Sequence, residues 1–539
     1  MLRILFFQER QRIVKRLRAG FFLLLTLALP AKAADELSTA AAKPNFLFIL
    51  VDDYGIMDVG AEGSTFYETP NIDQFARSGM RFTQGYAACP VCSPSRASIL
   101  TGQYPPRHGI TDYIGAATGD VFAKERLVKL SVPDYARQLS KSQFTLAQAL
   151  KQAGYSTFFT GKWHLGGKGF WPENFGFDIN KGGWDAGSPI GGYFAPWTNP
   201  SLPNGPKGQS LTDRMATETI SFIEQHRNGP FLAYLAFYAV HAPIQTTKPL
   251  WEEYRSRAAG LPTPHERFQI DRTLPVRQVQ DNPIYGGLVE SMDTAVGRVL
   301  GCLHNLGLET NTIVIFTSDN GGVSSGDSYS SSMLPYRGGK GRQWEGGLRV
   351  PLYVRAPGVT TPGSTCDTPV SGIDFYPTML DLAGVPMPAQ QTIDGVSVVP
   401  LLAGGGINDR PLFWHYPHYG NQGGEPSSII REDGWKLIHY WEDNRNELYH
   451  LAADIGEQHD LALQEAQRTA RLWAELQAWL NETGAKIPRP YAYYDHASAG
   501  KLRLASKQLK GRLEQQHADY LKPDWQPDPT WWKSLVTKD

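Results

Sequence analysis

Cysteine is scarce in this chain. Only Cys89, Cys92, Cys302 and Cys366 occur in 539 residues, too few for a disulfide scaffold. Cys89 and Cys92 form the single Cys-x-x-Cys, and no histidine lies near them at zinc-finger spacing, which argues against structural zinc. Nor does the chain read as a thioredoxin-sized unit built around a redox dithiol. A bilayer-spanning run is missing too: "AGFFLLLTLALP" holds about eleven apolar residues, against the roughly 20 that a span needs. Excess charge of one sign is absent, with 52 Lys and Arg against 53 Asp and Glu, so nothing draws the whole molecule to nucleic acid or to an anionic membrane. No internal repeat or low-complexity tract is evident.

The first 33 residues read as an export signal. A basic stretch, "ERQRIVKRLR", leads into the short apolar run and then into Ala31-Lys32-Ala33, a small-x-small cleavage site. Residues 1–33 carry seven Lys or Arg and one Glu, so cleavage takes the formal charge from −1 to −1 − 6 = −7. The expectation is an exported protein, in a bacterial periplasm or secreted, without a stable membrane anchor. An anionic substrate would then have to be caught by local cations in a pocket.

What is present is a series of apolar runs that end in polar residues. "FLFILV" ends at Asp52 and Asp53, "STFFTG" at Lys162 and His164, "FLAYLAFYAV" at His241, and "TIVIFT" at Asp319 and Asn320. Helical patterns lie between them, "SQFTLAQALKQAG" and "YGGLVESMDTAVGRVLGCLHNLG", each closed by a glycine. Continuous apolar strands alternating with helices predict an α/β fold, with a large, mostly parallel central sheet flanked by helices. In such sheets ligands bind beyond the carboxyl ends of the strands. Three carboxylates and an amide oxygen gathered there form a hard oxygen set, suited to Ca2+ or Mg2+ rather than zinc. After the glycine run Gly404 to Gly406 the pattern changes to two or three antiparallel strands and a helix near residues 465–480. The expected division is 1–33 signal, 34–405 catalytic domain and 406–539 C-terminal subdomain, with no assignment for the tail after Pro488.

"CSPSRASILTG" has the pattern Cys-x-Pro-Ser-Arg-x-x-x-x-Thr-Gly and is accompanied, in order along the chain, by "NFLFILVDDYG", "GKWHLG", "HAP", "SDNGG", "GGKG" and "ELYHLAADIGE". Together these resemble the type I sulfatases of the alkaline phosphatase superfamily. The resemblance implies that a formylglycine-generating maturation enzyme oxidises Cys92 to formylglycine, with Cys89 a bystander. It implies that Asp52, Asp53, Asp319, Asn320 and residue 92 surround one divalent cation, Ca2+ before Mg2+. It also puts Arg96, Lys162, His164, His241 and Lys340 in the same catalytic pocket.

The residue types suit that chemistry. A sulfate monoester anion resists a nucleophile until its charge is neutralised, which the cation, Arg96, Lys162 and Lys340 would do. One hydroxyl of the hydrated aldehyde would attack sulfur while His241, with Lys340, protonates the leaving oxygen. His164 would then deprotonate the second hydroxyl to expel sulfate, a step for which serine lacks the group.

The alcohol is less legible. Ser188, Trp344 and His415 are candidate substrate contacts, with His418, Trp171 and Trp184 behind them. Export and Gly-, Trp- and Tyr-rich insertions, residues 166–194 and 321–347, lead to an expected sulfated saccharide, cleaved in exo fashion, of galactose or N-acetylgalactosamine type. The alternatives are a general arylsulfatase, a phosphonate or phosphate ester hydrolase of the same superfamily, and an unmodified carbohydrate-binding protein.

Overall fold

The computed structural model describes residues 43–525; the signal segment 1–33 lies outside the described residues. Eight strands form the central sheet: β1 (Asn45–Val51), β2 (Met80–Phe82), β3 (Ser156–Gly161), β4 (Ile179–Lys181), β5 (Phe231–Ala236), β6 (Thr312–Ser318), β7 (Leu352–Arg355) and β8 (Ser364–Cys366). Their order is β8-β2-β7-β6-β1-β5-β3-β4. Every pairing is parallel except the two that β7 makes, with β6 and with β2. The mostly parallel sheet expected from the apolar runs is therefore present.

Strand β1 shows why its run is continuous rather than alternating. Leu47, Ile49 and Val51 enter one core; Phe46, Phe48 and Leu50 enter the core on the opposite face. Side chains alternate across a strand, so a strand covered on both sides must be apolar at every position. The first core holds Met215 and Phe222 of a helix spanning Leu211–His226 and Leu288, Met292 and Val296 of one spanning Pro283–Asn305. The second holds Leu146 and Leu150 of the helix Leu146–Gln152 and Phe375 and Met379 of the helix Phe375–Leu382. Local sequence starts these helices where they start. Thr145 and Gln148 form a reciprocal capping box, and Asn282 caps the helix whose first residue is Pro283.

Register positions the polar ends. Val51 pairs with Ser318 and Leu50 with Ala236, so Asp52 and Asp319 leave adjacent strands side by side. Gly161 pairs with Ala236 one strand further on, which delivers Lys162 to the same edge.

Beyond Gly406 four strands, β9 (Leu412–Tyr416), β10 (Ser427–Glu432), β11 (Trp435–Tyr440) and β12 (Arg445–His450), make an antiparallel sheet in chain order. One face packs Phe413, Ile430, Leu437 and Leu448 against Leu472, Leu476 and Trp479 of the helix Ala466–Glu482, and Ala88, Tyr104 and Ile373 join this core. The tail forms a helix, Ser498–Tyr520, that places Leu513 against Phe268 and Tyr329. Among the described residues no helix is long and apolar enough to cross a membrane.

Candidate active site

Asp52 and Asp53 follow β1 directly, Asp319 and Asn320 follow β6, and Lys162 and His164 follow β3. His241 stands five residues beyond β5, in the turn after it. Opposite these strand ends a helix, Cys92–Thr101, begins at Cys92 without a side-chain cap. Its first backbone N–H groups and its dipole therefore present positive character on the residue-92 side.

These residues converge. Carboxylate oxygens of Asp52, Asp53 and Asp319 lie within 4.8 Å of one another, and all three residues are buried. The Asp53 backbone N–H donates to Asp319 Oδ1 at 3.2 Å. Lys162 Nζ donates to both Asp52 oxygens, at 2.9 and 2.7 Å. Arg96 Nε donates to Asp319 Oδ2 at 2.7 Å, and its Nη1 donates to the Lys162 carbonyl at 2.6 Å. Lys340 Nζ donates to Asp53 Oδ2 at 2.7 Å. Asn320 Nδ2 donates to Asp53 Oδ1 at 2.9 Å.

The two histidines have tautomers fixed by their neighbours. His164 Nε2 lies 2.9 Å from the Ile114 carbonyl, which can only accept, so Nε2 carries the hydrogen. Its Nδ1 then offers a lone pair 3.4 Å from Cys92 Sγ. His241 Nδ1 donates to the Ala242 carbonyl at 2.6 Å, leaving Nε2 3.7 Å from Asp53 Oδ2. Asp53 and His164 both hold left-handed backbone, φ 61° and 56°, a conformation that costs free energy for residues with a side chain. The hydrogen bonds above hold them in it.

Burial sets the electrostatics. It pushes the Asp52 carboxyl well above the ordinary range, with Lys162 opposing and Asp319 and Asp53 adding repulsion. Burial also raises Asp53, but Lys340, His241 and Lys162 overcome it and hold that carboxyl well below the ordinary range. Burial would lower Lys340, and Asp53 and Asp327 more than reverse it. Burial and Lys162 depress His164 to about 3; burial and Lys340 depress His241 to about 4.

The carboxylate set fits a hard cation. Three buried carboxylates in mutual reach are penalised by their own repulsion, which a divalent ion would remove. Asn320 Oδ1, buried and without a hydrogen-bond partner, supplies a further oxygen of the right kind. Thiolate and imidazole ligands of a zinc site are absent from this group.

The candidate substrate contacts divide. Ser188 is half-buried in the segment that covers His164, where a Cβ on Gly187 would lie 2.4 Å from the imidazole. Trp344 is not brought to the pocket. It is fully buried in the core behind the second sheet, with the Arg337 guanidinium 3.8 Å from its ring centre. His415 is committed as well: Nδ1 pairs with Ser428 Oγ at 2.7 Å and Nε2 with the Lys486 carbonyl at 3.1 Å. His418 is buried against Thr111. These aromatic groups serve packing because the second sheet closes over them. Cys89 is buried and forms no disulfide with Cys92.

Sequence reading missed Asp327. It lies 3.4 Å from Lys340 Nζ and takes a hydrogen bond from Gln422 Nε2 at 2.7 Å. Seven residues beyond Asn320, within "SSGDSYSS", it belongs to no spacing that marks it.

Comparison with known proteins identifies the family. The sulfatase family model matches residues 44–385, and a model described as N-sulphoglucosamine sulphohydrolase, C-terminal, matches residues 340–486. Human N-acetylgalactosamine-6-sulfatase is 34% identical over 403 residues, covering 70% of this chain and 69% of its own length. A sulfatase of Formosa agariphila is 30% identical over 527 residues, covering 83% and 90%. Among solved structures, Ps i-CgsB in complex with k-i-k-neocarrahexaose superposes with a TM-score of 0.67 at 25% identity, over 88% of this chain and 99% of its own.

Proposed function

We propose, from the premise that the chain belongs to the sulfatase family and is a sulfuric ester hydrolase, that it removes sulfate from a galactose- or N-acetylgalactosamine-type saccharide outside the cytoplasm. The observation that carries the catalytic reading is the convergence of Arg96, Lys162 and Lys340 on three buried carboxylates beside the helix that begins at Cys92. Human N-acetylgalactosamine-6-sulfatase and the oligosaccharide complex of Ps i-CgsB support a sugar as the alcohol.

Cys92, oxidised to formylglycine by a maturation enzyme, would supply a hydrated aldehyde as nucleophile. Asp52, Asp53, Asp319 and Asn320 would hold a calcium ion that adds two positive charges beside it. The rest falls to the chain's own side chains. Arg96, Lys162 and Lys340 offset the negative charge of the sulfate and fix its orientation. His164 Nδ1, its lone pair turned toward residue 92, takes a proton from that residue. Lys340, whose ammonium stands on the other side of Asp53, delivers a proton to the leaving sugar oxygen, with His241 Nε2 facing the same carboxylate. Export is part of the proposal, through residues 1–33.

Sulfate release across a panel of defined sulfated saccharides tests it. A galactose-type sulfate should exceed an aryl sulfate in kcat/KM, and Cys92→Ala should abolish both activities. An aryl sulfate preferred over the whole panel, or phosphate released without sulfate, overturns the substrate reading.

A further inference from the structure

Asp327 is an acidic side chain in a pocket built for an anion. Each of the other carboxylates there is engaged, by Lys162, by Lys340 and Asn320, or by Arg96. Asp327 is set apart from them by geometry. Its oxygen Oδ2 takes the hydrogen bond from Gln422 Nε2 and faces Lys340. Its Oδ1 accepts no hydrogen bond among the described residues, and 24% of the side chain is open to solvent.

Considerable structure is spent on keeping it there. Asp327 has φ 39°, in left-handed backbone. Gly326 before it has φ 63°, and a Cβ on that glycine would come within 2.9 Å of Gln422 Cα, so the turn lies tight against the Asn421–Gln422 segment. Gln422 is itself buried, and its carbonyl accepts from Ser325 Oγ at 2.5 Å and Arg342 Nε at 2.8 Å. Ligand atoms of Asp327, Asp53 and His241 all lie within 4.8 Å of one another. Lys340 Nζ supplies the positive charge between Asp53 and Asp327, which leaves no call for a second metal ion.

A carboxylate facing the sulfate would repel it. It is compatible with the pocket where the substrate turns a donor toward it, and the donor that a sugar carries next to a sulfate ester is the neighbouring hydroxyl. We propose that Asp327 is a specificity-determining residue, whose free oxygen accepts a hydrogen bond from the hydroxyl on a ring carbon adjacent to the sulfated position. The proposal rests on the saccharide reading of the site and narrows it: the substrate is a sulfated sugar with a free vicinal hydroxyl, and an ester without a vicinal donor gains nothing from Asp327.

The test compares wild type, Asp327→Ala and the shape-retaining Asp327→Asn on three substrates: the best saccharide of the panel, its analogue deoxygenated beside the sulfate, and an aryl sulfate. A hydrogen bond to a charged group is worth about 10- to 100-fold in affinity. Asp327→Ala should lower kcat/KM for the saccharide, chiefly through KM, by about that factor beyond whatever loss it causes on the aryl ester through Lys340. Deoxygenation should cost wild type the same factor and cost Asp327→Ala nothing further, because both changes remove one interaction. Equal losses on saccharide and aryl ester would mean that Asp327 acts through Lys340, and would overturn the inference. So would multiplicative losses on the deoxy substrate, or an Asp327→Ala enzyme indifferent to the saccharide; either leaves the saccharide reading standing. Wild type preferring the aryl ester overturns that reading, and this inference with it.

Discussion

At the scale of single residues, buried polar groups away from the chemistry carry the pH dependence of stability. His108 packs behind the helix that starts at Cys92. Its Nδ1 accepts the Ile110 N–H at 3.2 Å, so the neutral ring donates from Nε2 to Ser98 Oγ at 3.1 Å. Burial depresses it to about 3, against about 6.5 in an unfolded chain. As pH falls through 6.5 the unfolded chain therefore takes up a proton that the folded chain refuses. Its contribution is full above about pH 6.5 and is lost progressively as pH falls toward 3. Between pH 7.5 and 5.5 wild type should lose about 1.4 kcal/mol relative to His108→Gln, read from urea unfolding of both proteins at the two pH values. A difference that does not change with pH would show that the folded ring takes up its proton as readily as the unfolded one.

At the scale of elements, the sheet edge is the organising feature, and it was the most legible part of the sequence. Strands covered on both faces must be apolar throughout, so the first polar residues after them stand out. Asp52, Lys162 and Asp319 are all found that way, at the carboxyl ends of β1, β3 and β6. Asp327 was not legible because a Ser- and Gly-rich turn carries no period, and its position comes from contact with Gln422, 95 residues away. Trp344 and His415 misled for the converse reason: an aromatic beside a basic residue looks the same in sequence on a sugar platform or under a buried arginine. The tail helix was unreadable because its buried side are Ser506, Leu513 and His517, whereas Leu502 and Leu504 are 43% and 59% exposed. One element boundary gives a sharp test. Gly161 ends β3 with φ 101°, and a Cβ there would lie 1.8 Å from the Ala236 carbonyl oxygen. That carbonyl accepts the Lys162 N–H at 2.8 Å, so the strands would have to part at the point where Lys162 is delivered. Gly161→Ala should cost about 3 kcal/mol or more in stability and cut kcat on every sulfate ester, by chemical denaturation and initial rates. Wild-type stability in that variant would mean that β3 and β5 shift without penalty.

At the scale of the whole molecule, the pocket is assembled from parts distant in the chain, and the tail helix is the most remote support. Leu513 packs on Phe268 and Tyr329, and Arg267 Nη1 donates to Glu514 at 3.2 Å. His517 is buried 3.3 Å from Asp281, which in turn pairs with Arg267 and Arg277. Phe268 and Arg277 belong to one antiparallel hairpin, Phe268–Asp271 and Leu274–Arg277, and Arg277 donates through its backbone N–H to the Ser324 carbonyl at 2.8 Å and through Nε to the Tyr329 carbonyl at 2.6 Å. These two carbonyls bracket Asp327. The helix thus steadies the turn that presents Asp327, without touching the carboxylates at the strand ends. Deleting residues 498–539 exposes the apolar surface around Leu513 and uncovers the Arg–Asp pairs behind the hairpin. Burial of one leucine-sized group is worth about 2 kcal/mol, which in a chain of this size lowers the thermal midpoint by roughly 2 °C. The kinetic consequence should be selective: a loosened turn lowers kcat/KM for the saccharide by about tenfold, while the aryl sulfate, which makes no use of Asp327, changes by less than about threefold. Scanning calorimetry and paired kinetics on the truncated protein read both effects. A truncated enzyme with unchanged midpoint and unchanged saccharide kinetics would remove the helix from the chain of support, and equal losses on both substrates would place its effect on the sheet edge instead.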